Sequence, residues 1–277
     1  YGVTPAQPFW QQKALIALEW MVGRVTTHWI AVSQADRRQG IEWGLFTASK
    51  VSVVRPGIDP TAFAARIESP ERDRLRAMLG VGPDQLLVGT VSCLKPQKSP
   101  EDFIRVAALV CQRVPAARCV LVGDGVLRPN IEALLLAQGL QDRVTLLGWR
   151  RDVAALLKTF DVFVLTSQWE GLPCAILEAR ASRIPIVATR VGGAAEAIVE
   201  GIQGTLCPAG DVRAMAERVC QILEDERFRV DLRTGTQELP EEFTIQETLK
   251  QYQSLYAYLL HATRPSEDVM KLQPNRL

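Results

Sequence analysis

From Leu86 onward, short and almost continuously apolar runs alternate with segments of helical periodicity, and that alternation leaves few folds open. The strand candidates are "LLVGTV" (86–91), "CVLVG" (119–123), "RVTLL" (143–147), "DVFVLTS" (161–167), "PIVAT" (185–189) and "GTLCP" (204–208). Between them lie "PEDFIRVAALVCQRV", "RPNIEALLLAQG", "RDVAALLKTF", "PCAILEARAS", "GAAEAIVE" and "DVRAMAERVCQILED", most with apolar residues at helical spacing. Strands that are apolar on both faces are covered on both sides, so the pattern predicts an α/β domain with a doubly wound parallel sheet. Asp152 and Asp211 suit helix N-caps, Pro173 a first helical position and Gly139 a helix end.

The chain before this domain has another character. It predicts a long helix over about 9–28, a strand "WIAVS" (29–33), a helix from about Gln34, and then "VSVVRPGIDP" (51–60), whose turn-rich half reads as a linker. One strand with its helices cannot cover both of its faces, so residues 1–57 read as the remnant of a separate N-terminal domain. The sequence opens with Tyr1, already in mid-pattern, and is read as a fragment. Residues 58–240 form the second domain, and 241–262 a C-terminal amphipathic helix packing back toward the first; 263–277 form a polar tail expected to be disordered.

With 47% hydrophobic and 23% charged residues in 277, the chain is long enough to bury a sizeable core. A formal charge of +1 without a dense Lys/Arg block argues against nucleic acid as partner. "ALIALEWMV" (14–22) contains Glu19 and is too short to span a membrane; it reads as a buried or amphipathic helix, with peripheral contact to a membrane surface left open. Cys93, Cys111, Cys119, Cys174, Cys207 and Cys220 lie without paired spacing, which favours reduced core thiols in a cytoplasmic protein over a disulfide frame or zinc site. His28 and His261 are too few for a histidine metal cluster, and both read as structural.

In an open parallel sheet ligands bind at the carboxyl ends of the strands, and four loops fall there. "SCLKPQKSP" (92–100) carries Lys95 and Lys98, whose charges suit a phosphate; solvated loop lysines are the alternative. In "VGDGV" (122–126), Gly123 and Gly125 allow a tight turn and close approach to a ligand. "LGWRRDV" (147–153) offers backbone groups for a base edge, with Trp149 or Arg150 stacking on it, or else a buried structural Trp149. The fourth loop, within "SQWEGLPCAILEARASRIPIVATRVGG" (167–193), sets Glu170 before a helix start and Glu178 inside it. Free N–H groups near Cys174 and Ala175 suit an anion, Glu178 suits a ribose diol, and Glu170 faces the group beyond the phosphates; two solvated glutamates on a capped helix are the alternative.

The ordered series "HWIAVSQADRRQG", "VRPGID", "VGTVSCLKPQKSP", "VLVGDG", "VTLLGWRRDV", "SQWEGLPCAILEARASRIPIVATRVGGAAEAI" and "GTLCPAGD" resembles the family 4 retaining glycosyltransferases, from about Trp29 to Val219. The two glutamates bracketing seven residues are the most specific part. The resemblance implies a GT-B fold, two Rossmann-like domains facing a cleft, with the nucleotide sugar held mainly by the second and no metal or other cofactor. By position it implies that Lys98 contacts the donor diphosphate, that Glu170 with the backbone of Gly171, Leu172 and Pro173 holds sugar and phosphate, and that Glu178 holds the ribose.

Several positions depart from the family. Cys93 stands where many members have an Arg, and Lys95 is the candidate substitute. Ser99 and Arg183 stand where the family usually has Gly. The Gly-rich loop, acceptor pocket and donor-contacting His of a full first domain have no counterpart. The resemblance therefore implies the donor-binding half of an N-terminally truncated glycosyltransferase, able to bind a nucleoside diphosphate sugar but not to transfer it alone to a sugar or lipid-linked acceptor. Such an enzyme would serve glycan biosynthesis in the cytoplasm or at the inner face of the membrane. A non-catalytic nucleotide-sugar-binding module and a sugar-nucleotide epimerase are the rival readings, and the "EGLP" array (170–173) argues against the second.

Overall fold

The computed structural model describes residues 3–4, 6–65, 68–235 and 238–262, so the expected disorder of the tail 263–277 lies outside the described residues. At the start, α1 (Phe9–Gly23) leads into β1 (Trp29–Ala31), α2 (Gln34–Glu42) and β2 (Val51–Val53). Two strands are present here where the sequence was read as having one: β1 and β2 pair in parallel, Trp29 opposite Val51, over a small core of Ala31, Leu45, Phe46 and Val51. The first helix also stops short of the expected residue 28. The chain turns at Gly23, where a Cβ would lie 2.7 Å from the Leu45 carbonyl oxygen, and the following Thr26 bonds back to the Val22 carbonyl. β1 ends before Ser33 because that hydroxyl caps α2, accepting from the Asp36 amide at 3.0 Å. No residue of α1 is buried; Phe9, Trp10 and Met21 lie exposed on the surface, so it is not the buried helix considered above.

After two short helices, α3 (Thr61–Ala64) and α4 (Ser69–Met78), the chain enters the large domain. Its order is β3 (Leu86–Val91), α5 (Pro100–Arg113), β4 (Ala117–Val122), α6 (Arg128–Ala137), β5 (Val144–Gly148), α7 (Val153–Leu157), β6 (Val162–Leu165), α8 (Cys174–Ala181), β7 (Ile186–Thr189), α9 (Ala194–Ala197), β8 (Gly204–Cys207) and α10 (Val212–Glu224). All six strands are parallel, in the spatial order β5-β4-β3-β6-β7-β8. Side chains alternate between the two faces, as a pleated strand requires. Val88, Leu121, Val164 and Val187 share one core with α5, α6 and α10, whereas Leu87, Val120, Phe163 and Ile186 share the other with α7 and α8. The doubly wound sheet expected from the apolar runs is therefore what forms.

Two helices bury little beyond Arg76 and Leu232 and are also tied in by charge. α4 and α11 (Glu226–Gly235) converge on Asp161, which is 6% exposed at the start of β6. Its carboxylate accepts from the Leu87 amide (2.8 Å) and Arg76 Nη1 (3.0 Å), with Arg72 and Arg233 at 3.3 and 3.4 Å. A buried carboxylate tolerates burial only with such partners. The chain then returns through Phe243, whose carbonyl accepts from the Ile58 amide at 3.0 Å, into α12 (Ile245–Ala262), and Thr248 donates to the Arg55 carbonyl at 2.9 Å. These bonds place the start of α12 beside the linker.

Helix ends follow the expectations unevenly. Asp211 caps α10 through the Ala214 amide (2.9 Å), but Asp152 makes no cap bond: Arg150 takes its carboxylate at 2.6 Å and holds it below the usual carboxylate range. Pro173 is the cap residue of α8 and not its first helical residue. Gly139 and Arg183 close α6 and α8 by the same motif: at each, the amide bonds two residues before the cap and the next amide one residue further back (Leu140 to Leu135, Ile184 to Ala179). That motif needs a left-handed residue, with φ +62 at Gly139 and φ 57 at Arg183. Ser99, at φ 44, is the other non-glycine residue with positive φ among the described residues, so the two positions where the resembled family carries Gly are those that need it. The exposed Arg183 gives up nothing buried. Arg183→Gly is expected to stabilise the fold by up to about 1 kcal/mol, read as a higher thermal midpoint, whereas Gly139→Arg should lower it by a similar amount.

Candidate functional site

The strand order reverses between β3 and β6. From β3 the chain winds outward through β4 and β5, then β6 returns to the other side of β3 and winds outward through β7 and β8. The loops that follow these two central strands therefore part company and open a crevice at the carboxyl edge. Lys98 lies on the loop after β3, in the turn Pro96–Lys98, and Glu170 on the loop after β6.

The structure brings these two side chains into direct contact. The Lys98 ammonium is hydrogen-bonded to Glu170 Oε1, and the Ser167 hydroxyl donates to the same oxygen at 2.6 Å. Both are largely buried, with 17% of the Lys98 and 7% of the Glu170 side chain exposed. Polar cross-links fix the two loops together. Thr166 donates to the carbonyls of Lys98 and Ser99 (3.0 Å each), Gln97 to the Trp169 carbonyl (2.9 Å), and the Gln168 amide to the Gln97 carbonyl (2.8 Å). Thr189 on β7 holds the Ser167 carbonyl at 2.6 Å, so three strands support the pair. Thr166, Ser167 and Gln97 were not singled out in the sequence; a polar residue at the end of a buried strand was the available signal.

α8 starts directly beyond Glu170, with no side-chain cap on its first amides. Leu172 and Pro173 are buried and anchor that start. Glu178 lies one turn further on, half-buried, and burial alone raises its carboxyl above the usual 4.5; no hydrogen bond or ion pair among the described residues offsets that cost. Cys93 is half-buried and Cys174 exposed at this edge, so these two are not core thiols, unlike Cys111, Cys119, Cys207 and Cys220; all six are free.

The remaining predicted residues fall around this centre. Gly123 (φ +132) and Gly125 are required by the neighbouring loop, since a Cβ at either would lie 2.0 Å from the Ser92 or 2.5 Å from the Leu94 carbonyl oxygen. Lys95 is exposed and makes no ion pair among the described residues. Trp149 is 70% exposed, which removes the buried alternative for its ring, and Arg150 is engaged by Asp152. On the other side of Glu170 and Gly171, a cavity of about 860 Å³ opens toward β1 and α2, lined by Trp29, Gln39, Trp43, Gln168 and Trp169. Lys98, Glu178 and Trp149 lie outside that lining.

Residues 71–239 match the model of the family described as glycosyl transferases group 1. The chain belongs to that family. Among curated relatives, it is 28% identical over 242 residues to the UDP-Gal:alpha-D-GlcNAc-diphosphoundecaprenol alpha-1,3-galactosyltransferase of Escherichia coli, covering 86% of this chain and 62% of that one. With N-acetyl-alpha-D-glucosaminyl L-malate synthase of Bacillus anthracis it shares 31% identity over 184 residues, covering 66% and 48%. The solved structure of HepE from Anabaena, in complex with UDP and glucose, superposes with a TM-score of 0.77 at 26% identity, covering 88% of this chain and 66% of that one. The chain thus spans about half to two thirds of the length of these relatives, and its fold is that of the GT-B glycosyltransferases.

No helix among the described residues is long and apolar enough to cross a membrane. The unpaired Glu178 yields a measurable consequence. Its raised pKa makes the ionised form a burden on the fold, present above the folded pKa and absent below about 4.3, where the carboxyl is protonated in folded and unfolded chains alike. Glu178→Gln is therefore expected to raise the stability of the ligand-free protein at pH 7 in urea titration. The gain should shrink steadily toward pH 4.

Proposed function

We propose that this chain carries the donor-binding half of a retaining glycosyltransferase, which holds a nucleoside diphosphate sugar and moves its sugar to an acceptor hydroxyl. The observation that carries this reading is the buried Lys98–Glu170 pair at the β3/β6 reversal, beside the uncapped start of α8. A diphosphate there meets a cation and a helix N-terminus from neighbouring loops, the two partners an anion requires. Support for a uridine nucleotide comes from HepE, which was solved with UDP.

Each residue then has a role. Lys98 and the amides of Cys174 and Ala175 take the diphosphate, with Lys95 at the rim. Glu170, with the backbone of Gly171, Leu172 and Pro173, takes the sugar hydroxyls. Glu178 accepts from the ribose diol, and the edge at Gly123, Gly125, Trp149 and Arg150 faces the base. The cavity lined by Trp29, Trp43 and Trp169 suits a sugar or lipid-linked acceptor, because flat apolar rings cover sugar faces while Gln39 and Gln168 meet hydroxyls.

The chemistry follows from charge. As the bond from anomeric carbon to phosphate breaks, negative charge grows on the departing diphosphate, where Lys98 and the α8 dipole stabilise it in a partly dry site. Glu170 and Ser167 hold the Lys98 ammonium in position. That the reaction needs no metal rests, like the residue roles above, on the family resemblance. Retention at the anomeric carbon rests on the family resemblance.

Calorimetry with UDP and with uridine tests the diphosphate assignment. Lys98→Ala is expected to weaken UDP by about 1.5–3 kcal/mol, the scale of a lost hydrogen bond to a charged group, and to leave uridine nearly unchanged. Equal losses for the two ligands would overturn it.

A further inference from the structure

Glu196, on α9 in the sheet domain, reaches across to the N-terminal unit. Its carboxylate accepts from the amides of Gln34 (3.1 Å) and Ala35 (2.8 Å), the first two residues of α2. Ser33 takes the Asp36 amide, so three of the amides that a helix leaves open at its start are satisfied, two of them by a residue 161 or 162 positions away. The same carboxylate pairs with Arg55 Nη2 at 2.9 Å, and only 17% and 20% of the two side chains are exposed.

Arg55 is itself a crossing point. It belongs to the linker, pairs with Glu242 at 3.4 Å, and its carbonyl accepts from Thr248 on α12. Ile58 exchanges backbone bonds with Phe243 and Ile245, both 3.0 Å. Both passages of chain between the two units therefore meet at the guanidinium that holds Glu196.

On its other side, Glu196 is tied to the donor loop. Its amide bonds to the Gly193 carbonyl (3.0 Å), and the Gly193 amide to the Gly171 carbonyl (2.7 Å). The approach is so close that a Cβ on Gly192 would lie 1.7 Å from the Glu170 carbonyl oxygen. A Cβ on Gly171 would lie 2.7 Å from Val32 Cγ2, and one on Gly193 2.8 Å from Ser33 Cβ. The Glu170–Gly171 loop is thus clamped between the approach to α9 and the turn from β1 into α2.

We propose that Glu196 is the clasp that fixes the N-terminal unit against the sheet domain and, through that clamp, keeps Glu170 and Lys98 in register. It is a positioning residue and touches no reacting atom. The effect on a ligand rests on the donor-site reading above; the effect on the backbone does not. A plain helix cap would protect α2 alone.

Hydrogen exchange of the whole chain, comparing wild type with E196A and E196Q, separates the two roles. E196A is expected to speed exchange at Gln34 and Ala35 by about tenfold, the equivalent of one hydrogen bond to a charged group, and to speed it also across 168–172, with α5 and α10 unchanged. UDP affinity should fall in step, and E196Q, which keeps one acceptor oxygen, should lie between. Acceleration confined to 34–37 with unchanged UDP affinity would reduce Glu196 to a cap and overturn the clasp; so would no acceleration, or acceleration everywhere including α10. If E196A fails to fold, E196Q decides by the same pattern. Wild type that binds no UDP would count against the donor reading alone, because the exchange at 168–172 still decides the clasp.

Discussion

The reversal of strand order between β3 and β6 is the constraint on which the rest of the site depends. Crossovers of one hand place α5 and α6 on one face of the sheet and α8 on the other, so the loops after β3 and β6 leave in opposite directions. Neither loop could build a charged centre alone. Thr166, Gln97 and Gln168 then draw the two loops together, and burial brings the Lys98 cation and the Glu170 anion into one pair. A lysine and a glutamate far apart in sequence become one unit because the topology gives their loops a common edge.

Four acids in this chain show how burial is handled in different ways. Asp161 collects three arginines and a backbone amide, which makes it an anchor for α4 and α11. Glu196 collects two amides and Arg55 between two units of the chain. Glu170 is matched by one cation and one hydroxyl. Glu178 has no hydrogen bond or ion pair among the described residues, and burial alone raises its pKa.

Much of this was legible in the sequence, for physical reasons. Strands such as 86–91 are apolar on both faces and recur between longer helical segments, so the sheet could be read strand by strand. That Lys98 and Glu170 lie at one edge could be read because they follow strands whose ends meet there. α4 and α11 could not, since "SPERDRLRAM" and "ERFRVDLRTG" bury only Arg76 and Leu232 and depend on Asp161, a partner distant in sequence. The second strand at Val51–Val53 was hidden inside a turn-rich stretch, because three residues are too few for a periodicity to show. Glu196 was missed for the same reason as Asp161: a carboxylate whose partners are distant in sequence leaves no local pattern.

A structure of the protein solved with UDP tests the central claim most directly. The terminal phosphate is expected within hydrogen-bond distance of Lys98 and the first amides of α8, with the ribose hydroxyls on Glu178. A UDP molecule seated elsewhere on the sheet edge, with Lys98 still closed on Glu170 and Glu178 untouched, would contradict it.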